Sequence, residues 1–306
     1  MEISVSILTE KSRIPEIKAL FGTSFGETTD EYWEWRLFAD NGADSPLFVI
    51  AQTEDGRIVG MSNSIPAFYG NGSKCVQLGD WVVHPDFRGN GIIGRIYRFF
   101  VEYYSEKGYD FIIEFPNDNS YPIFKKYNFD EEKSFDFTSS KRFYLPAFEK
   151  YRASFNGYSL EITDNIPHNI EFVQRPDKML RNEKLMKWKY DDNPAEKFKW
   201  LTVYKGGSFQ GYFVFAQNHG RINTAVNIYD FDFLPDDGEL FGCAIKLLKS
   251  FGNYVSLWGR FDERAEKLLS QAKMKRSESS TRVALKALSE KGYPEKLTIT
   301  RIDADY

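Results

Sequence analysis

The sequence predicts an α/β (α+β) chain built as two tandem copies of one unit. Three observations predict it. Runs with the two-residue period of strands alternate with runs of helical period. A strand, a glycine-bearing loop and an apolar-periodic helix follow one another from Cys75 to Arg98. A series of short segments from the first half recurs in the same order in the second.

Taken in order, Ile3 to Leu8 alternates through Ile3, Val5 and Ile7 and reads as a strand. Ser12 caps a helix carrying Ile14, Ile17 and Leu20, which Phe21-Gly22 and Phe25-Gly26 break. Thr29 or Asp30 starts a second helix, Tyr32 to Phe38. Leu47–Thr53 and Arg57–Ile65 are strands joined by the hairpin turn Asp55-Gly56. Next comes the strand Val76 to Val83, a turn at His84-Pro85, and a helix burying Ile92, Ile96, Phe99, Phe100 and Tyr103 that ends at Gly108. A strand over 109–114, a helix over 119–127 and a strand from Thr138 to Leu145 follow. Arg152 to Gly157 reads as the linker, before a strand Tyr158 to Thr163, so the units are expected at 1–152 and 153–306.

The repeat rests on four echoes. Trp35-Arg36-Leu37 is answered by Trp188-Lys189-Tyr190, and the turn Asp55 to Gly60 by Gly206 to Gly211. Gly79 to Asp86 is answered by Tyr229 to Asp236, and Tyr109 to Ile113 by Tyr254 to Trp258. Their offsets drift slowly, as small loop deletions would produce.

The loop Arg88-Gly89-Asn90-Gly91-Ile92-Ile93-Gly94 carries the chemistry. Glycines let successive amides turn one way without a Cβ clash. Ahead of a helix start, those amides and the helix dipole suit a phosphate or pyrophosphate. A dinucleotide fold would want its glycines straight after the first strand, and a nucleotide P-loop would end Gly-Lys-Ser/Thr; neither holds here. A hairpin-to-helix connection with glycines for sterics alone is the plainest alternative.

Composition narrows the function. Hydrophobic residues make 42% and aromatic residues 17% of the 306, enough for a true core. The net charge of −4, with no long basic block, argues against a nucleic-acid partner. No apolar run approaches the roughly 20 residues of a membrane helix, and the start of the chain lacks a signal-peptide pattern. Cys75 and Cys243 read as buried free thiols of a reducing compartment, so a cytoplasmic protein is expected. His84, His168 and His219 have no metal spacing, and the acids Asp230, Asp232, Asp236 and Asp237 lack an EF-hand pattern, so no metal is expected. The oligomeric state is open, a homodimer included.

Val-Val-His-Pro-Asp-Phe-Arg-Gly-Asn-Gly-Ile-Ile-Gly, from Val82 to Gly94, resembles the coenzyme A pyrophosphate loop of the GNAT acyltransferases. Arg88 and Gly91 match its Arg/Gln-x-x-Gly-x-Gly/Ala pattern; Ile93 takes the place of the second small residue and Gly94 comes one later. Pro116 to Phe129 resembles the family's next element, with Asn117, Ser120 and Phe129 in register. The resemblance implies two mixed, mostly antiparallel sheets flanked by helices, acetyl-CoA as co-substrate, and direct attack of a primary amine on the thioester. In the second copy Gly238-Glu239-Leu240-Phe241 replaces Arg88 to Gly91, and an acid with two bulky residues cannot cradle a diphosphate. The first unit alone is therefore expected to bind the cofactor.

By the same resemblance, the pantetheine arm lies between the strand ending at Val83 and the strand ending near Phe115, pairing with the backbone of Val82 and Val83. The loop from Arg88 to Gly94, with Arg95 on the first helical turn, meets the phosphates. Asn117 meets the pantetheine amides or caps its own helix. An attacking amine must lose a proton, for which Asp80 and then Glu114 are the candidate bases. The family's Tyr acid falls on Phe124, leaving Tyr127 as a substitute. Trp33 and Arg36 are placed in the acceptor pocket, and a small amine, an amino sugar or amino acid derivative, is the expected acceptor. A non-catalytic acyl-CoA-binding module and a tRNA-dependent aminoacyl transferase are the competing functions, the latter opposed by the intact loop.

Overall fold

The computed structural model describes residues 2–37, 46–141, 144–221 and 223–304. Phe38, the end of the second predicted helix, and residues 142 and 143 of the strand predicted over Thr138–Leu145 lie outside them. In the first half the elements are β1 (Ile3–Ile7), α1 (Ile14–Phe25), α2 (Asp30–Leu37), β2 (Leu47–Thr53), β3 (Ile58–Phe68), β4 (Lys74–Val83), α3 (Ile92–Glu106), β5 (Phe111–Glu114), α4 (Tyr121–Lys126), β6 (Asp130–Glu132) and β7 (Phe135–Ser140). In the second they are β8 (Arg152–Phe155), β9 (Tyr158–Thr163), α5 (Glu183–Met186), β10 (Phe198–Lys205), β11 (Ser208–His219), β12 (Thr224–Phe233), α6 (Gly238–Leu248), β13 (Tyr254–Arg260), α7 (Glu263–Gln271), β14 (Lys275–Glu278), β15 (Val283–Ala287), β16 (Ile299–Thr300) and α8 (Arg301–Ala304).

Two sheets result. The first has the order β1-β2-β3-β4-β5-β15-β6 and the second β14-β7-β13-β12-β11-β10-β9-β8, with β16 paired to β13. Each is antiparallel except at one pair, β4 with β5 and β12 with β13. Helices flank both, so the α/β (α+β) class and the tandem arrangement hold.

The units do not divide at 152/153. One comprises residues 1–132 with 283–294, the other 133–282 with 295–306. The reason is strand pairing. β15, five residues of apolar character, lies between β5 and β6 of the first sheet, while β7 lies between β13 and β14 of the second. β5 is fully buried, and such a strand needs a neighbour on both edges. Each half of the chain thus lends a strand to the other's sheet.

In the first unit the strand alternation sorts the core onto two faces. Val49, Ala51, Val76 and Leu78 pack under Ile92, Ile96, Tyr97, Phe100 and Tyr104 of α3. Phe48, Ile50, Met61 and Val82 pack on the other face with Ile17, Leu20, Phe21 and Trp33. Of the predicted α3 core, Phe99 and Tyr103 sit at its rim, and Tyr97 and Tyr104 are buried instead.

Candidate active site

The first unit holds a cleft of about 930 Å³ between β4, the start of α3, α4 and the end of α1. Its geometry starts from a failure of pairing. β4 and β5 pair in parallel only from Cys75–Phe111 to Gln77–Ile113, and β4 then runs on for six residues to Val83. Between Gly79 and Val82 the pairing of β4 with β3 slips by one residue, leaving Asp80 at φ 51°. A left-handed non-glycine residue at a bulge bends the strand away from its neighbour. The two strands therefore part.

Beyond the bulge the strand alternates regularly. His84 donates its amide to the carbonyl of Val59 on β3, and Val82 faces β3 by the same parity. The amide of Val83 then points to the opposite side, toward the gap. The Val82 side chain is buried on the far face with Trp33.

A turn over Pro85–Phe87 leads into the loop. Arg57 pins it, with Nη2 3.0 Å from His84 Nε2 and its guanidinium 5.4 Å from the Phe87 ring centre. Arg88 Nε donates to the Val83 carbonyl (3.2 Å), and Asn90 Nδ2 to that of Phe87 (3.1 Å). Gly89 and Gly91 have φ of 83° and 71°, and a Cβ on either would project into open space. Backbone angle, not crowding, requires glycine here. Gly91 is the N-cap of α3 and no side chain caps it; the first helical bond runs from Arg95 back to Gly91. The amides of Ile92, Ile93 and Gly94 precede that bond and open an anion-binding helix end. Glu239 stands at this point of the second unit, where Asp237 caps α6 with its own carboxylate.

The cleft brings together Val83, Arg88, Gly89, Gly91, Ile92, Ile93, Gly94, Asn117 and Tyr127 of the predicted residues. Asn117 Oδ1 accepts from the amides of Asn119 and Ser120, both at 3.0 Å, so it shapes the entry to α4. Tyr127 stacks on Tyr97 at 4.3 Å, and its hydroxyl lies over Gly94, at the loop end of the cleft.

Other predicted residues sit elsewhere. Arg95 turns away from the phosphate loop and donates to the carbonyl of Ile3 at 2.8 Å. Asn90 folds back onto its own turn. Trp33 is fully buried, edge-on to Phe21, with its indole N–H on Thr28 Oγ1; it is core, not acceptor wall. Arg36 is 2% exposed and bound to Asp80, with Nη2 and Nε 2.6 and 2.7 Å from Oδ2. It orders the bulge rather than meeting an acceptor. Asp80 retains 13% exposure but does not line the cleft.

Glu114, the last residue of β5, is 4% exposed and accepts from the indole N–H of Trp81 at 2.8 Å. Burial raises its pKa well above the ordinary carboxylate range, against the opposing bonds from Trp81 and the Phe115 amide. Phe124, at the position of the family's Tyr, is 2% exposed beneath Trp81, ring centres 6.0 Å apart. Trp81 itself lines the cleft and was missed. Its place two residues before Val83, on the same side of the strand, was the available signal.

In the second unit the corresponding wedge is filled. β12 and β13 pair only from Ala225–Tyr254 to Ile228–Leu257, and β13 then takes Ile299 and Thr300 of β16. Among the described residues no cluster of His, Cys, Asp and Glu could hold a metal, and no helix is long and apolar enough to cross a membrane.

A model of the acetyltransferase (GNAT) domain matches residues 6–131. No curated protein matches the sequence. Among solved structures, a conserved protein of unknown function from Enterococcus faecalis, titled a probable N-acyltransferase, aligns with TM-score 0.68 and 14% identity, over 94% of this chain and 73% of that one. A GCN5-related N-acetyltransferase from Anabaena variabilis aligns with TM-score 0.67 and 14% identity over the same shares. A tandem GNAT protein from the clavulanic acid biosynthesis pathway aligns with TM-score 0.61 and 12% identity, over 94% of this chain and 99% of that one. The loop, the parted strands and these likenesses agree: residues 6–131 are a GNAT acetyltransferase domain, and the chain as a whole has the fold of tandem GNAT proteins.

Proposed function

We propose that the first unit transfers an acetyl group from acetyl-CoA to the primary amine of a small molecule, an amino sugar or amino acid derivative, in the cytoplasm. One observation carries this reading: the left-handed glycines and open α3 amides share a cleft with Trp81 and Val83, on the stretch of β4 that runs beyond its pairing with β5. The amides of Ile92, Ile93 and Gly94 hold the diphosphate, and Arg88 adds charge at the rim. Val83 offers its outward amide to the pantetheine, and a backbone amide of this stretch of β4 polarises the thioester carbonyl. Asp80, partly exposed at the β4 bulge, takes the proton of the attacking amine, whose nitrogen bonds to the carbonyl carbon as the C–S bond breaks. The thiolate leaves as such or takes that proton through water, since Phe124 has none to give. The second unit is a scaffold.

Calorimetry with acetyl-CoA tests the site: binding to the wild type that Gly91→Glu abolishes supports it, and an unaffected variant overturns it. Thiol release across a panel of amines tests the reaction. A second reading, an acyl-CoA-binding module without turnover, is favoured by the buried Phe124; binding without thiol release would establish it.

A further inference from the structure

We propose that Trp81 limits the length of the acyl chain the cleft admits, and that Glu114 acts as the positioning residue that holds it there, not as a base. The inference rests on the CoA reading of this cleft and deepens it. Trp81 leaves β4 after the last residue paired to β5, yet its indole N–H reaches the carboxyl of Glu114, on β5 itself. The side chain therefore bridges the gap between the parted strands. Its ring stands edge-on to Phe100 of α3 (6.1 Å) and Phe124 of α4 (6.0 Å), so both helices brace it. A chain entering from the loop passes Val83 and then meets this indole, because the two residues face the same side of β4. An acetyl group ends there. A longer acyl chain has to displace a ring fixed by two aromatic contacts and one hydrogen bond.

Glu114 suits the holding role by its surroundings. It is buried, it does not line the cleft, and its oxygen is spent on Trp81. Burial favours its neutral form, which still accepts the indole N–H through its carbonyl oxygen.

The experiment is calorimetric titration of CoA, acetyl-CoA, butyryl-CoA and octanoyl-CoA into the wild type, Trp81→Ala, Trp81→Phe, Glu114→Gln and Glu114→Leu. The wild type is expected to bind octanoyl-CoA roughly tenfold or more weakly than acetyl-CoA. Trp81→Ala should erase that difference. Trp81→Phe and Glu114→Leu, which both remove the bridging bond, should reduce it, while Glu114→Gln keeps an acceptor oxygen and should preserve it. With any amine that turns over, Glu114→Gln should hold kcat within about threefold, whereas loss of a base costs about a hundredfold or more. Equal binding of all chain lengths by the wild type, or discrimination surviving in Trp81→Ala, overturns the proposal. So does Glu114→Gln relaxing as Glu114→Leu does, or losing kcat as a base variant would. Should Trp81→Ala not fold, undiminished discrimination in Trp81→Phe overturns it alone. Failure of the wild type to bind CoA itself is a separate result, and it removes the cofactor reading on which this one stands.

Discussion

Asp80 and Asp230 stand beside the β-bulge of β4 and of β12, and each is clasped by a buried arginine. Arg36 Nη2 lies 2.6 Å from Asp80, and Arg181 Nε lies 3.0 Å from Asp230. The two acids fall at matching places of the internal repeat. The first keeps 13% of its surface exposed. The second is sealed, with Lys178 at 3.1 Å, Thr300 Oγ1 at 2.9 Å and the Tyr212 hydroxyl at 2.7 Å, while Asp303 takes the other side of Arg181. One position is a partly exposed ion pair in one copy and a sealed structural knot in the other.

Removing the knot's anion should be costly. Burial alone would raise the Asp230 pKa, but Arg181 and Lys178 outweigh it and hold the carboxylate well below its usual range. Asp230→Ala removes the carboxylate that Lys178 and Arg181 share and leaves Arg181 only Asp303, a change that costs about 3–5 kcal/mol. A depressed native pKa gives stability that is present above the unfolded value of about 3.9 and lost as pH falls through the native one. Urea titrations should therefore show a large deficit for the variant at pH 7 that narrows in strong acid.

Glu114 has the opposite sign. Its native pKa is raised, so the folded chain holds that proton more tightly than the unfolded one. Its contribution is complete below the unfolded pKa of about 4.3 and declines as pH rises through the native value. Glu114→Gln has no proton to lose. Its stability relative to wild type should climb between pH 4.5 and 8, and a difference constant with pH would refute the burial argument.

Gly94 tests the packing of the loop end. A Cβ there would strike the hydroxyl of Tyr127, whose ring is fixed by Tyr97. Gly94→Ala should cost about 1–3 kcal/mol by overpacking. Adding Tyr127→Phe removes the struck atom, so the double variant should recover most of that loss in a mutant cycle.

Trp33 separates core from acceptor wall. Its full burial predicts that Trp33→Ala loses about 3–5 kcal/mol of stability. In enzyme that remains folded, measured at low temperature, KM for the amine should be unchanged. A selective rise in KM would return Trp33 to the pocket.

Residues 1–152 should not fold as a stable domain. They lack β15, and so leave one edge of β5 unpaired and β6 without its partner strand. The fragment should aggregate or show the broad, low-cooperativity melt of an incomplete sheet. A sharp transition like that of the full chain would contradict the pairing.

The loop was legible because its structure is written in residue type: left-handed angles at Gly89 and Gly91 need glycine, and the run into α3 is strongly periodic. The repeat was legible because paired strands keep their spacing. The exchange of β7 and β15 was not, since β15 joins β5 across about 170 residues and nothing local distinguishes it from a strand of its own half. Arg95 misled because a helix start shows which residues are near an anion but not which way a long side chain leans. Arg36 and Trp33 misled for a related reason. An aromatic and basic cluster reads the same whether it borders solvent or the bulge at Asp80.

The lent strand also sets a timetable for synthesis. On the ribosome the N-terminal half emerges first, yet its sheet lacks a member until residues 283–287 have been translated. The nascent half-sheet must wait, edge unpaired, while residues 133–282 are made. The second unit's residues 133–282 are therefore made between the two parts of the first, whose sheet can be completed only after them.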